Sequence, residues 1–289
     1  MTFARFLEMF PDHDTCLAYL KAKFFPDGTQ CPGCAKATKF HPIKGRNAFS
    51  CQYCGHQVYP TANTIFHKSS TSLQLWFWAI YLMSSTRCGI SAKHLEREIG
   101  VSYPTAHRMF KQIRTLLSDD QGEMLSGEVE MDEAFFGGVR KNGKGRRPGP
   151  KTPVFGMVER GGRVITKIVG GVDAGSLGAQ YRKYVLPAST VFTDEYVGYK
   201  DVERLYHAHC RTNHSTGVYV VGNSHTQTIE GFWSLVKNGL RGTYHAVSTE
   251  YLQSYLDEYS FRFNRRDGDE PIFWAILDRV QKQPQLRGL

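Results

Sequence analysis

The chain is organised around one stretch, Val191 to Lys237, which opens with VFTDEYVGYK (191–200) and closes with QTIEGFWSLVK (227–237). The opening is a short apolar run that leads directly to Asp194, as expected for a buried strand with an acid at its end. The closing residues have the apolar spacing of an amphipathic helix, and they carry Glu230 and Lys237. A strand acid and a helix acid therefore define the centre of the predicted domain.

Asp132 is a third acid, at the end of a second strand-like segment, 128–132. Mg²⁺ takes oxygen ligands in octahedral geometry, usually from carboxylates, water and phosphate oxygens. Two such ions, about 3.5–4 Å apart, can clamp the attacking and leaving oxygens of a phosphoryl displacement. We expect Asp132, Asp194 and Glu230 to bind two Mg²⁺ ions, for which Mn²⁺ can substitute. The chain has 27 acidic residues, so the support must come from the surrounding sequence.

Side chains alternate along a strand, so Val129 and Met131 lie on one face of this segment. Glu128, Glu130 and Asp132 lie on the other face. Glu130 therefore shares a face with Asp132. The pattern leaves open whether Glu130 is a metal ligand or a group that supports one.

Composition limits the class of protein. The hydrophobic fraction of 41% and the charged fraction of 22% are those of a globular chain, and 289 residues suffice for one large core plus small modules. The net charge of +9 favours a polyanionic partner, because cationic side chains that neutralise phosphates release counterions.

Membrane and secretion signals are lacking in the sequence. The longest apolar run, Leu75 to Met83, is too short to cross a bilayer, and the first residues lack the apolar core of a signal peptide. Cys16, Cys88 and Cys210 stand alone, which fits a reducing compartment better than a disulfide framework. We expect a cytoplasmic protein with no membrane partner.

The N-terminal part contains a metal-binding pattern. After two short predicted helices in residues 1–25, the motifs Cys31-Pro-Gly-Cys34 and Cys51-Gln-Tyr-Cys54 each offer two thiolates. Two such knuckles joined by a hairpin close a tetrahedral site, so residues 26–68 are predicted to be a zinc ribbon with one structural Zn²⁺.

Residues 69–121 predict a helix-turn-helix. A helix follows Ser72, a second spans Ala92–Ile99, Gly100 supplies the turn, and a third runs from Ser102 through Leu117. The alternative is a three-helix packing module without DNA. The exposed face of the third helix is predicted to carry His107, Arg108, Lys111 and Arg114. The residues predicted near the bases are Tyr103, Thr105, His107 and Arg108.

The remaining pattern alternates strands and helices. The order is a strand with Asp132, two strands turning at Gly161-Gly162, a helix from Ser176 to Val185, the strand with Asp194, a short mixed piece, and the helix with Glu230. This is the order of the ribonuclease H-like α/β fold, a mixed sheet with flanking helices in which the first and fourth strands are neighbours. We assign residues 127–275 to this domain and 276–289 to a C-terminal tail.

A basic loop interrupts this domain at residues 139–152. It is rich in Gly and Pro and has no acid, so it suits a phosphate backbone, or else it is a solvated insertion. Its cationic residues are Arg140, Lys141, Lys144, Arg146, Arg147 and Lys151. A second basic surface is expected near Lys237, with Arg241, Arg265 and Arg266.

Taken together, the motifs resemble the DDE transposases of bacterial insertion sequences, within them the zinc-ribbon group numbered fifteen-ninety-five, also called ISXO-like. The motifs extend over nearly the whole chain. They are the two Cys pairs, Trp76-Phe77, Gly89-Ile90-Ser91, Gly100-Val101-Ser102, Thr105-Ala106, Met131-Asp132-Glu133, Gly137-Gly138, Thr193-Asp194 with Tyr196 and Tyr199, Ile229 to Lys237, Gly242 to His245, Tyr255 to Glu258, Arg262, and Asn264-Arg265-Arg266.

The resemblance implies that Asp132, Asp194 and Glu230 are metal ligands and that Lys237 assists at the cleaved DNA end. It implies a nucleoid-associated bacterial enzyme that binds element ends and target DNA, as a homodimer or higher oligomer in the DNA complex. Gln227 departs from the expected His-Thr-Asn motif, which leaves the role of His225 open. The alternatives are a transcription regulator with an inactive nuclease-like domain and a structure-selective nuclease of the same fold.

Overall fold

The computed structural model describes residues 1–118, 123–137, 151–194, 196–211 and 225–282. The chain divides into two compact units. The first unit comprises Met1–Thr86, Ala92–Leu116 and Glu270–Leu289, and the second comprises Arg87–Ser91 and Leu117–Asp269.

The described residues contain ten α-helices and eight strands, together with a 3₁₀ turn at Val197–Tyr199 and a π-helical turn at Leu240–Tyr244. In chain order they are α1 Phe3–Met9, α2 His13–Phe24, β1 Phe40–Pro42, β2 Phe49–Cys51, β3 Gln57–Val58, α3 Leu73–Ser85, α4 Ala92–Ile99, α5 Tyr103–Arg114, β4 Glu128–Gly137, β5 Lys151–Glu159, β6 Val164–Ile168, α6 Ala174–Tyr184, β7 Thr190–Thr193, α7 Val202–Leu205, β8 Ala208–Arg211, α8 Gln227–Gly239, α9 Thr249–Phe263 and α10 Ile272–Asp278.

Aromatic side chains hold the helical part of the first unit together. Phe10 lies 4.9 Å from Phe77 of α3 and 5.9 Å from Phe273 of α10, measured between ring centroids. Phe6 also contacts Phe273, at 5.8 Å. Tyr19 of α2 contacts Trp274 of α10 at 6.0 Å, so both N-terminal helices pack against the C-terminal helix. The sequence prediction had assigned residues 270–275 to the catalytic domain, whereas the described part of Glu270–Leu289 clusters with the first unit.

The zinc ribbon is a three-stranded antiparallel sheet in the order β1-β2-β3. Phe40, Phe49 and Val58, one from each strand, are buried. These short strands bury few side chains, so the ribbon depends on its cysteine cluster for much of its stability.

Helices α4 and α5 are joined by a three-residue turn in which Gly100 has a φ of +68°, a conformation that glycine adopts without strain. The sequence prediction was wrong on three details of α5. The helix ends at Arg114 rather than Leu117, the Ser102 hydroxyl does not cap the backbone, and Arg114 is only 5% exposed. The Arg114 guanidinium lies 5.5 Å from the Phe110 ring, so this side chain packs inward.

The second unit is built on a five-stranded sheet in the order β6-β5-β4-β7-β8. The strands β4, β5 and β6 are antiparallel neighbours, whereas β7 pairs with β4 and β8 pairs with β7 in parallel. The first and fourth strands of this unit are therefore side by side. This order, with helices on both faces, is that of the ribonuclease H-like α/β fold, as predicted.

One core lies on each face of this sheet. Val129 and Met131 belong to the core that contains α6, whereas Ala134 and Phe136 belong to the core that contains α8 and α9. Because side chains alternate along a strand, Glu130 and Asp132 lie on the α8 face. The predicted alternation is confirmed, and it directs Asp132 toward the helix that carries Glu230.

Some boundaries differ from the prediction. Strand β5 begins at Lys151, which pairs with Gly137, so the last two residues assigned to the basic loop are strand residues. Helix α6 begins at Ala174 rather than Ser176, because the Asp173 carboxylate accepts hydrogen bonds from the first backbone N–H groups. Among the described residues, no helix is long and apolar enough to cross a membrane.

Candidate active site

Asp132 and Asp194 come from adjacent parallel strands. The register pairs Glu130 with Phe192, and Asp132 and Asp194 each lie two residues after these partners in the sequence. They therefore reach the same level of the sheet. The Asp194 carboxylate accepts a hydrogen bond of 2.9 Å from the Tyr196 backbone N–H, which fixes its side chain at the end of β7.

Glu230 reaches this site from the first turn of α8. The Thr226 hydroxyl donates a 2.8 Å hydrogen bond to its carboxylate, and the Glu230 N–H donates to the Thr226 carbonyl. Thr226 is buried, so it holds Glu230 from a fixed position. The sequence prediction did not identify Thr226 as a residue that holds Glu230.

Asp132 and Glu230 line one open cleft of about 310 Å³. Lys237 lines the same cleft, so the predicted alignment of Glu230 and Lys237 on one edge of α8 is confirmed. The other lining residues are Trp233, Ser234, Asn238 and Arg241. The cleft therefore combines two carboxylates, from β4 and α8, with two cationic side chains, from α8 and the π-helical turn that follows it.

The electrostatics of Asp132 show that the carboxylates act on one another. Burial, together with the charges of Asp194 and Glu230, raises the pKa of Asp132 to about 6, against the opposing effects of a backbone hydrogen bond and the Lys237 charge. Like charges that interact in this way disfavour ionisation, and a bound cation offsets that effect. The donor set thus fits divalent metal ions, and Asp132, Asp194 and Glu230 are the residues that would hold them.

The three carboxylates form a wider set than a single-ion site. In the described part of the chain, the four cysteines are the one group of three or more metal-binding side chains whose ligand atoms all lie within 4.8 Å of one another. The ligand atoms of Asp132, Asp194 and Glu230 are therefore spaced more widely than those of the four cysteines.

Trp233 lies against the sheet beside Asp132. Gly156 pairs with Asp132 across β4 and β5, and a Cβ atom at Gly156 would be only 2.4 Å from the Trp233 ring. Only glycine permits this close approach. Gly156 was not identified from the sequence, because a glycine within a strand carries no specific signal without an alignment.

Glu133 lies on the opposite face of β4, beside Tyr199. Burial, together with the charges of Asp132 and Asp194, raises the pKa of its carboxyl group to about 7, although a hydrogen bond with Tyr199 opposes this shift.

Glu130 is fully buried, and protein groups surround its carboxylate. It accepts hydrogen bonds from Arg160, from the Thr228 hydroxyl and from the Ile229 N–H. The His225 ring lies 3.4 Å away. Both of its carboxylate oxygens therefore have donors from the protein itself.

The four predicted zinc ligands converge. The Sγ atoms of Cys31 and Cys54 are 3.6 Å apart, and those of Cys34 and Cys51 are 3.9 Å apart. A tetrahedral site with Zn–S bonds of about 2.3 Å has S–S edges of about 3.8 Å. The cluster therefore fits a structural Zn²⁺ ion.

The predicted DNA contacts fall into three groups. On α5, Tyr103, His107, Arg108 and Lys111 are exposed and Thr105 is half-buried. Arg108 also contacts the Ser69 hydroxyl at 3.3 Å and lies 5.6 Å from the Trp76 ring. Arg140, Lys141, Lys144, Arg146 and Arg147 lie outside the described residues, while Lys151 is exposed at the start of β5.

The third group is the basic surface near Lys237. Arg241 lines the cleft. Arg265 instead packs 3.7 Å from the Phe261 ring, and Arg266 donates to the carbonyls of Gly162 and Phe263. Arg241 is thus the member of this group that lies beside the candidate catalytic residues.

Comparisons with known proteins agree with this geometry. Residues 124–264 match the ISXO2-like transposase domain, and residues 11–57 match the transposase zinc-ribbon domain. An uncharacterized protein in transposable element ISH50 of Halobacterium salinarum is 26% identical, over 85% of this chain and 90% of the relative. An uncharacterized transposase-like protein of Haemophilus influenzae is 30% identical, over 42% of this chain and 94% of its own length.

The crystal structure of the Mos1 strand transfer complex is similar over 70% of this chain and 74% of its own, with 12% identity and a TM-score of 0.29. The fold is assigned from the strand order of the five-stranded sheet and not from this structural similarity. The matched zinc-ribbon domain contains all four clustered cysteines, and the matched transposase domain contains the residues of the carboxylate cleft. The chain belongs to the family of ISXO2-like transposases with an N-terminal zinc ribbon.

Proposed function

We propose that the protein cleaves the phosphodiester bonds at the ends of its insertion sequence by metal-dependent hydrolysis and joins the resulting 3′-hydroxyl to target DNA. The observation that carries this proposal is the single cleft that holds Asp132, Glu230 and Lys237, with Asp194 acting electrostatically on Asp132.

In this proposal Asp132, Asp194 and Glu230 bind two Mg²⁺ ions. Such ions activate the nucleophile and stabilise the leaving oxygen of an in-line displacement. The chain's own part is to orient the three carboxylates. The hydrogen bonds from Tyr196 and Thr226 do this for Asp194 and Glu230.

The cationic edge of α8 binds the DNA strand. Lys237 lies two helical turns after Glu230, and Arg241 follows it by about one turn. Both side chains can neutralise phosphate charge next to the scissile bond. Ser234 and Asn238 on the same edge supply neutral hydrogen-bonding groups.

Two other functions use the same residues. A transcription regulator with an inactive nuclease-like domain would bind DNA without cutting it, but it has no need of two carboxylates in a cleft with a third acting on one of them. A structure-selective nuclease would cut without joining. Neither has a specific observation in its favour.

A strand-transfer assay separates these functions. The purified chain is incubated with Mg²⁺, a labelled duplex that carries the element end, and a supercoiled target plasmid. We expect specific cleavage at the end and covalent joining of its 3′-hydroxyl to the plasmid. Cleavage without joining would identify a nuclease, and binding without either reaction would identify a regulator.

We further propose that α5 reads the terminal inverted repeats and that the protein acts as a dimer or higher oligomer on DNA. The exposed Tyr103, His107, Arg108 and Lys111 support the first point, since a second helix of this layout enters the major groove. The oligomer can be tested by measuring the mass of the complex with end duplexes.

Base recognition by α5 and backbone contact by the basic loop are expected to respond differently when their arginines are replaced. Arg108→Ala should reduce the preference for the end sequence by about 1–3 kcal/mol if the arginine pairs with a base. Neutralising Arg146 and Arg147 should weaken binding to every sequence and flatten its salt dependence, because fewer counterions are released. Titrations on end and scrambled duplexes at several salt concentrations measure both effects.

Arg97 on α4 is the matched control for Arg108, since it is exposed and basic and its Nε donates to the Lys93 carbonyl. Arg97→Ala should leave sequence preference unchanged. If Arg97→Ala and Arg108→Ala lose sequence preference equally, α5 is not the helix that recognises the end sequence. An unchanged salt slope after neutralising Arg146 and Arg147 would place the backbone contacts elsewhere, with Arg241 as the next candidate.

A further inference from the structure

A buried arginine lies behind the carboxylate site and takes no part in the function proposed above. Arg160 follows the last residue of β5, and its side chain is 12% exposed. Its Nε donates a 2.8 Å hydrogen bond to Glu130, whose side chain is fully buried. Such a pair is costly to bury unless further hydrogen bonds complete it.

Those further contacts reach every element that carries a candidate metal ligand. Glu130 is two residues before Asp132 on β4. The Arg160 guanidinium lies 3.7 Å from the centroid of the Phe192 ring, and Phe192 is two residues before Asp194. The Arg160 Nη2 donates a 2.6 Å hydrogen bond to the His225 carbonyl, just before α8.

Glu130 itself holds the start of α8. Its Oε2 accepts a 3.0 Å hydrogen bond from the Ile229 N–H, and its Oε1 accepts one of 3.0 Å from the Thr228 hydroxyl. The first N–H groups of a helix have no partner within the helix and favour a negative charge. A strand carboxylate thus satisfies the helix end, one residue before Glu230.

We infer that Arg160 and Glu130 form a buried clamp that sets the positions of Asp132, Asp194 and Glu230 relative to one another. The inference rests on the proposed function, because it takes these three carboxylates as metal ligands. Arg160 and Glu130 are positioning residues and touch neither metal nor DNA. They act by fixing two strands and one helix at a common point, through Glu130, Phe192 and Ile229, each within two residues of one of the three ligands.

The test compares Glu130→Gln with Glu128→Gln. Glu128 is the matched control, because it lies on the same strand and contacts the same arginine at 3.2 Å, but its side chain is 45% exposed. Groups that support metal ligands typically change metal affinity or activity by about 10–100-fold when they are replaced. We expect Glu130→Gln to raise the half-saturating Mg²⁺ concentration for end cleavage by that factor, with most of the rate restored at saturating Mg²⁺.

A second readout does not need catalysis. Calorimetric titration of the DNA-free protein with MnCl₂ should show weaker binding in Glu130→Gln and unchanged binding in Glu128→Gln. Amide hydrogen exchange in residues 226–232 should be faster in Glu130→Gln alone. A folded Glu130→Gln protein with wild-type Mn²⁺ affinity would overturn the inference, and so would a rate loss that is equal at all Mg²⁺ concentrations.

A second variant covers the case in which Glu130→Gln does not fold. Thr228→Val removes one hydrogen bond to Glu130 and leaves every charge in place. It should shift Mn²⁺ affinity in the same direction, by several-fold, and an unchanged affinity would contradict the clamp. If the wild-type protein binds Mn²⁺ and the variants differ as expected, but no DNA is cleaved, the proposed function fails while the clamp stands.

Discussion

Replacing Asp132, Asp194 or Glu230 by the corresponding amide is expected to lower the rates of end cleavage and joining by about 10³-fold or more. Each carboxylate supplies a charged oxygen ligand, and metal stabilisation of the transition state contributes several kcal/mol, at 1.36 kcal/mol for each factor of ten. The variants Asp132→Asn, Asp194→Asn and Glu230→Gln should still bind end DNA with nearly wild-type affinity. Single-turnover cleavage and mobility-shift titrations measure the two quantities separately.

The matched control is Glu250→Gln, an exposed acid in the first turn of α9, which should cleave at the wild-type rate. Asp132→Asn also removes a buried charge that lies near two others. Its unfolding midpoint without metal should therefore be no lower than that of the wild type. Near wild-type cleavage by Asp194→Asn in Mg²⁺ would refute the assignment of the triad.

Loss of one zinc ligand is expected to have the largest effect on stability. Cys51→Ser leaves three thiolates, and metal binding supplies about 10–16 kcal/mol of apparent folding free energy in small zinc domains. The ribbon has only three short strands to replace that contribution. We expect one zinc per chain in the wild type, less than one in Cys51→Ser, and loss of the ribbon's resonances in an NMR spectrum.

Cys88→Ser is the control for this experiment, because Cys88 is an exposed cysteine outside the cluster. It should retain one zinc and the wild-type spectrum. A Cys51→Ser protein with full zinc content and an intact ribbon would show that the cluster does not depend on this thiolate.

The parts predicted well from the sequence are those with a local pattern. The spacing of the cysteine pairs was enough to predict their cluster. Strand alternation correctly placed Met131 and Asp132 on opposite faces of β4. The apolar spacing of α8 correctly predicted an amphipathic helix, and its Ile229, Phe232 and Trp233 lie in the core. These features depend on neighbouring residues, so a single sequence contains them.

The parts that were missed depend on contacts between distant segments. Arg160 follows a strand and precedes a glycine turn, where an exposed hairpin residue is the ordinary expectation. Its partners Glu130 and His225 are far from it in the chain. Arg114 was placed on the wrong face because helical spacing alone does not tell which side of a basic helix packs inward.

The first unit is assembled from both ends of the chain, and this has a consequence for folding during synthesis. Its aromatic core needs Phe273 of α10, which contacts Phe6 and Phe10. The ribosome makes α10 after the whole five-stranded sheet. Since domains fold as units while the chain emerges, the catalytic sheet can form first, and the helical core that includes α3 closes only near the end of translation. A nascent or truncated chain that stops before Glu270 would therefore expose apolar surface around Phe6 and Phe10, which makes such chains substrates for chaperones and proteases.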